Sequence, residues 1–117
     1  MLFLKTLKFT YNGKKFNSKW ELTIYKRLKS VLPSRYFPII VNKRIPGSMM
    51  ELDLYIPKLG LAFELQGPCH LFDLKRVHKD VIKYSICKKN KIKVIYLQFN
   101  KYYGKSYFRE VLKDVRL

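Results

Sequence analysis

Asp53, Glu64 and Gln66 stand on two adjacent hydrophobic runs, MELDLYI and LAFELQG, and carry the oxygen donors that a hard divalent cation takes. The chain has 25 Lys and Arg against 8 Asp and Glu, so carboxylates are scarce and each is a candidate for a specific task. Alternation along a strand puts Leu52, Leu54 and Ile56 on one face and Glu51, Asp53 and Tyr55 on the other. In the second run Leu61, Phe63 and Leu65 oppose Ala62, Glu64 and Gln66. The connecting Pro57-Lys58-Leu59-Gly60 is short, so the runs are expected to pair as an antiparallel hairpin with their polar faces aligned. Two carboxylates held that close repel unless a cation lies between them. Mg²⁺ or Mn²⁺ would bind there through one or two carboxylates, water and phosphate, and would assist hydrolysis of a phosphodiester. Polar alternation is equally the ordinary pattern of a half-exposed sheet, so the spacing alone leaves Asp53 and Glu64 as either metal ligands or solvated side chains.

Three further groups bear on that chemistry. Glu21 falls at helical spacing with Ile24, Tyr25, Leu28 and Leu32, which projects it from the edge of the packing face toward the same site. Ser18-x-x-Glu21 is also a capping box, in which Glu21 would bond back to the N–H of the cap residue. Lys75, Arg76, Lys79, Lys83, Lys88 and Lys89 make a second helix basic, with Val77, Val81 and Tyr84 expected to face inward, and that surface suits phosphate. Tyr102, Tyr103 and Tyr107, interleaved with Lys101 and Lys105, have the composition for stacking bases or for covering the edge of the core.

The elements that must position these groups follow from local signals. Residues 5–16 read as a hairpin around Asn12-Gly13. A helix runs from Lys19 to Leu32, capped by Ser18 and stopped by Pro33. Strands are expected over Phe37 to Arg44 and, after a Pro46-Gly47-Ser48 turn, over the Asp53 and Glu64 runs. A helix capped by Asp73 reaches Lys89, Ile92 to Phe99 forms an apolar strand, and Ser106 to Val115 forms a final helix. At 117 residues, 48% of them hydrophobic, the expectation is one α/β domain with a sizeable core.

A formal charge of +17 calls for an anionic partner, nucleic acid above all, although a generic electrostatic surface would carry the same sign. Cys69 and Cys87 do not make a disulfide framework, which points to a reducing intracellular compartment. With His70 and His78 they lack the paired spacings of structural zinc, which is not expected. No run approaches a membrane span, and MLFLKTLKF lacks a signal peptide's continuous apolar core, so the chain is expected to be soluble without membrane attachment. Lys-rich composition with abundant Asn, Ile, Tyr and Phe fits an AT-rich coding genome, whether of a phage, an organelle or an endosymbiont.

Taken together, FNSKWELTIYKRL, MELDLYIPKLGLAFELQGPCH and KDVIKYSICKKNKIKVIYL resemble the opening helix, the metal-binding hairpin and the closing helix and strand of the PD-(D/E)XK, or restriction-endonuclease-like, superfamily. The likeness is to its very-short-patch-repair-like and phage or mobile-element homing members and spans residues 16 to 99. It implies a mixed β-sheet flanked by helices, and a Mg²⁺-dependent endonuclease whose metal is held by Asp53 and Glu64 with help from the Leu65 carbonyl. It implies further that Glu21 supports the metal or its water, and that His70 contacts phosphate or assists proton transfer. Lys75, Arg76, Lys79 and Lys83 would bind nucleic acid, Lys83 supplying a positive charge near the site. Gln66 stands where many members have a catalytic Lys, and Asn90 where Gly is usual. Those departures keep open a second expectation, a nuclease fold that only binds nucleic acid, such as the RNA-binding subunit of an organellar ribosome or another ribonucleoprotein.

Overall fold

The computed structural model describes residues 9–45, 51–66 and 74–116, without the side chains of 74–80 and 116. It is a mixed α/β fold in which a small antiparallel hairpin precedes a four-stranded mixed sheet flanked by helices. The hairpin pairs β1 (Phe9–Tyr11) with β2 (Lys14–Phe16). Asn12 and Gly13 both take positive φ, 51° and 74°, the backbone that a two-residue turn of matching twist demands. Residues 5–8 of the expected hairpin lie outside the described residues.

Helix α1 (Lys19–Val31) starts where Ser18 Oγ accepts the N–H of Glu21 at 3.0 Å. It buries Glu21, Ile24, Tyr25 and Leu28 on one face, and Leu32 just beyond its end. Strand β3 (Ile40–Arg44) begins three residues later than expected, in keeping with Pro38, which has no N–H for a ladder. It pairs antiparallel with β4 (Glu51–Ile56), and β4 pairs antiparallel with β5 (Leu61–Gln66). Gly60 closes the β4–β5 turn in left-handed backbone at φ 57°, where a Cβ would come within 3.0 Å of the Lys91 carbonyl. Helix α2 (Leu74–Lys89) then returns the chain to β6 (Lys93–Gln98), which lies parallel to β5. Helix α3 (Lys105–Arg116) closes the fold. The Pro46-Gly47-Ser48 turn and the Asp73 cap lie outside the described residues.

Two apolar clusters occupy the two faces of the sheet. The larger joins α1 and α3 to Leu54, Ile56, Leu61, Phe63 and Leu97, with Phe63 and Phe108 edge to face at 5.4 Å. The smaller joins Ile45, Leu52, Ala62 and Cys87, with Ile86 and Val94 against it. Leu52 therefore leaves the face of Leu54 and Ile56 that strict alternation assigns it. The β3–β4 ladder lacks its Asn42–Asp53 pair, and Asn42 takes a φ of 54° there, so the strands lose regular pleating between Leu52 and Leu54.

Helix α2 also departs from expectation. Val81 is 60% and Tyr84 50% exposed, whereas Cys87 is buried and Lys83 and Ile86 are half-buried. Among the described side chains of α2, Lys83, Ile86 and Cys87 turn toward the sheet. Lys83 finds an anionic partner there, which outweighs the apolar spacing that would have turned Val81 and Tyr84 inward.

Candidate active site

The site forms where β4 and β5 stop pairing through their backbones. Their ladder runs Ile56–Leu61, Tyr55–Ala62 and Leu54–Phe63, and at the next step two carboxylates replace it. The N–H of Asp53 donates to Glu64 Oε2 at 2.7 Å, and the N–H of Leu65 donates to Asp53 Oδ2 at 2.8 Å. Each strand thus satisfies the other's N–H with a side chain, which binds the two acids together while the strands separate.

Glu64 is 5% exposed. Its Oε1 takes the ammonium of Lys83, whose Nζ also donates to the Glu51 carbonyl at 2.8 Å. No side-chain pattern announced that carbonyl. Glu21, equally buried, has an Oε1 with no hydrogen-bond partner. Its carboxylate draws a backbone hydrogen bond from Asn17, one residue ahead of the Ser18 predicted for it, while Ser18 itself caps the Glu21 N–H.

These acids are raised above their ordinary range. Burial is the largest cause for all three. Glu64 is pushed up to about 7, with repulsion from Asp53 next and Lys83 opposing. Asp53 rises through burial, held back by the Leu65 N–H and pushed further by Glu21. Glu21 rises through burial and, less, through Glu64. Three carboxylates therefore sense one another around a single described ammonium, that of Lys83.

Comparisons of the chain with protein-family models, with curated proteins and with solved structures find no match.

Of the expected site residues, Asp53, Glu64, Glu21 and Lys83 come together. Gln66, half-buried, lies two residues along β5 from Glu64, and its carbonyl accepts the Phe99 N–H at 3.0 Å. His70 lies outside the described residues, as do the side chains of Lys75, Arg76 and Lys79, although α2 carries those three in its first two turns. Among the described residues no three His, Cys, Asp or Glu side chains converge closely enough to hold a metal ion as they stand. Tyr103 is only 8% exposed and uses its hydroxyl to accept the Gln98 N–H, so it belongs to the core edge. Cys87 is buried, and its thiol is raised by that burial and by Glu64, which makes it a poor nucleophile. No helix among the described residues is long and apolar enough to cross a membrane.

Proposed function

We propose that the chain is a metal-dependent endonuclease of the PD-(D/E)XK type, hydrolysing phosphodiesters at the Asp53–Glu64 pair within a restriction-endonuclease-like core. The observation that carries this reading is the gathering of three mutually repelling carboxylates, Glu21 and Glu64 buried and Asp53 half-buried, in a chain of net charge +17. Asp53 and Glu64, already joined through backbone hydrogen bonds, are the kind of carboxylate pair that a hard divalent ion takes together with water and phosphate. Asp53 and Glu64 would hold Mg²⁺ or Mn²⁺, which when bound supplies hydroxide near neutral pH and offsets charge on phosphate. Lys83 places an ammonium beside Glu64 and is the cation available to a phosphate oxygen, since Gln66 is uncharged and can only orient it by donating from its amide. Glu21, whose Oε1 has no hydrogen-bond partner, would support the metal or its water. Lys75, Arg76 and Lys79 would bring the nucleic-acid backbone to the site.

Incubation of the purified chain with single-stranded and duplex DNA and RNA tests this. Cleavage should need Mg²⁺ or Mn²⁺, and Asp53→Asn should abolish it while sparing or strengthening binding, because a negative charge leaves a basic groove. Gln66→Lys should raise a weak activity.

A second reading, a nuclease fold that only binds nucleic acid within a ribonucleoprotein, is favoured by the ammonium of Lys83 lying directly on Glu64 Oε1, where a ligand oxygen would be needed. A wild type inert toward all four substrates, with Gln66→Lys equally inert, selects it.

A further inference from the structure

We propose that Trp20, Phe99 and Tyr102 form a stacking ledge beside the carboxylates that takes the unpaired bases of single-stranded nucleic acid. The idea rests on the nucleic-acid partner of the preceding reading but not on cleavage. Trp20 immediately precedes Glu21 on α1, and its ring meets Phe99 edge to face at 5.3 Å and 84°. Phe99 follows the Gln66–Gln98 register pair and donates its N–H to the Gln66 carbonyl, so the ledge continues the strand ends that carry Glu64. Glu64 is in register with Tyr96, three residues before Phe99, so at a strand rise of about 3.3 Å per residue the ledge lies on the order of 10 Å along the sheet from that acid.

Aromatic exposure here is selective. Phe99 is 54% and Tyr102 80% exposed, while their neighbours Tyr103 and Phe108 are buried in the core. The Tyr102 ring is nonetheless placed. Arg27 lies 4.8 Å from its centroid and donates from Nη1 to the Tyr103 carbonyl at 2.9 Å, and the ring leans on Gly104, where a Cβ would meet it at 2.9 Å. Half-buried Arg27 lies over the Tyr102 ring, exposed Lys19, Lys101 and Lys105 are close in sequence to Trp20 and Tyr102, and neither 17–20 nor 99–105 contains an acid. Positive charge for the backbone interleaved with open aromatic faces is what sequence-tolerant binding of single strands uses, whereas a duplex keeps its base faces stacked on one another. Tyr11 on the β1–β2 hairpin differs in degree: two cations, Lys26 and Lys29, lie over its ring and it is 37% exposed, whereas Arg27 alone lies over the far more exposed ring of Tyr102.

Trp20 is the only tryptophan, so its fluorescence reports on the ledge. The full chain is titrated in EDTA with oligo-dT and oligo-U, against a duplex of equal length and against polyphosphate. Both single strands should quench Trp20, the tighter one naming the polymer. Phe99→Ala with Tyr102→Ala should weaken single-strand binding on the order of tenfold or more, with duplex and polyphosphate affinity and the salt slope unchanged. Gly104→Ala, which displaces the Tyr102 ring, should reproduce part of that loss, and Tyr102→Phe should not. Unquenched Trp20 at saturation, an unchanged single-strand affinity in the double variant, or an equal loss toward duplex and polyphosphate would each overturn the ledge. Duplex cleavage without single-strand binding rejects the ledge and keeps the nuclease; quenching without cleavage does the reverse.

Discussion

Asp53 and Glu64 hold each other's strand: the Asp53 N–H ends on the Glu64 carboxylate at 2.7 Å, and the Asp53 carboxylate accepts the N–H of Leu65 at 2.8 Å. The pair therefore has a structural task whatever else it does. Asp53→Asn and Asp53→Ala both remove the charge, but only Ala removes the acceptor and leaves the Leu65 N–H unsatisfied. Urea unfolding at one pH should place the Asn variant above the Ala variant by about 1–3 kcal/mol. Equal stability would mean that the Leu65 N–H finds water instead.

Glu64 makes the site sensitive to pH in a direction that can be stated. Its carboxyl titrates at about 7 in the folded chain against an ordinary 4.5, so the folded state keeps a proton that the unfolded state has lost. The associated stability is present below about 4.5 and is lost as pH rises through about 7, amounting to roughly 3 kcal/mol. Glu21 and Asp53 shift the same way. General acid effects at net charge +17 overlie this, so the measurement is the difference in Tm between wild type and Glu64→Gln. That difference should move in favour of Gln between pH 4.5 and 7 and then level off. Mg²⁺, if Asp53 and Glu64 hold it, should raise the wild-type Tm at pH 8 and leave it unchanged at pH 5.

Most of this framework was legible because its punctuation is local. Asn12-Gly13, Ser18, Pro33 and Gly60 act through their own φ preferences or side-chain oxygens, and the elements start or stop where those residues stand. The acids could be placed on adjacent strands for the same reason, since Pro57 to Gly60 fixes the register of the hairpin. What sequence periodicity could not show was the departure from it. Leu52 changes cluster because Asn42 interrupts the ladder in left-handed backbone, and a period-2 rule assumes an unbroken strand. Lys83 turns inward in place of Val81 and Tyr84 because a buried carboxylate awaits it, and that carboxylate lies 19 residues away in sequence. Glu64 could not be assigned between solvated and buried until its neighbours were known, as alternation gives a face but not what covers it.

Lys83 is expected to be the side chain on which the stability of the site depends most. Its side chain is 16% exposed and that of Glu64 7%, so truncation would leave a buried charge without its cation. Lys83→Met should destabilise the chain by about 3–5 kcal/mol at pH 8, where Glu64 is ionised. At pH 5, with Glu64 protonated, the cost should be distinctly smaller. The pKa of Glu64, followed by carboxyl NMR, should rise in the variant, because Lys83 is what holds it down. A cost independent of pH would reduce the role of Lys83 to packing.

Salt dependence distinguishes a nucleic-acid partner from a protein one. Lysines and arginines engaging phosphates release condensed counterions, so log affinity should fall linearly with log salt, by about 0.7 to 0.9 per neutralised phosphate. Lys75→Ala with Arg76→Ala on the first turn of α2 should weaken binding alike for every sequence and flatten that slope by about 1.4 to 1.8. Lys88→Ala with Lys89→Ala, at the far end of the same helix, serves as the control for net charge alone. If both pairs weaken binding to the same degree, α2 contributes only a diffuse field; if the first pair dominates, the backbone passes over the start of α2. Binding that ignores salt altogether would assign the exposed Val81 and Tyr84 to a protein surface and remove nucleic acid as the partner.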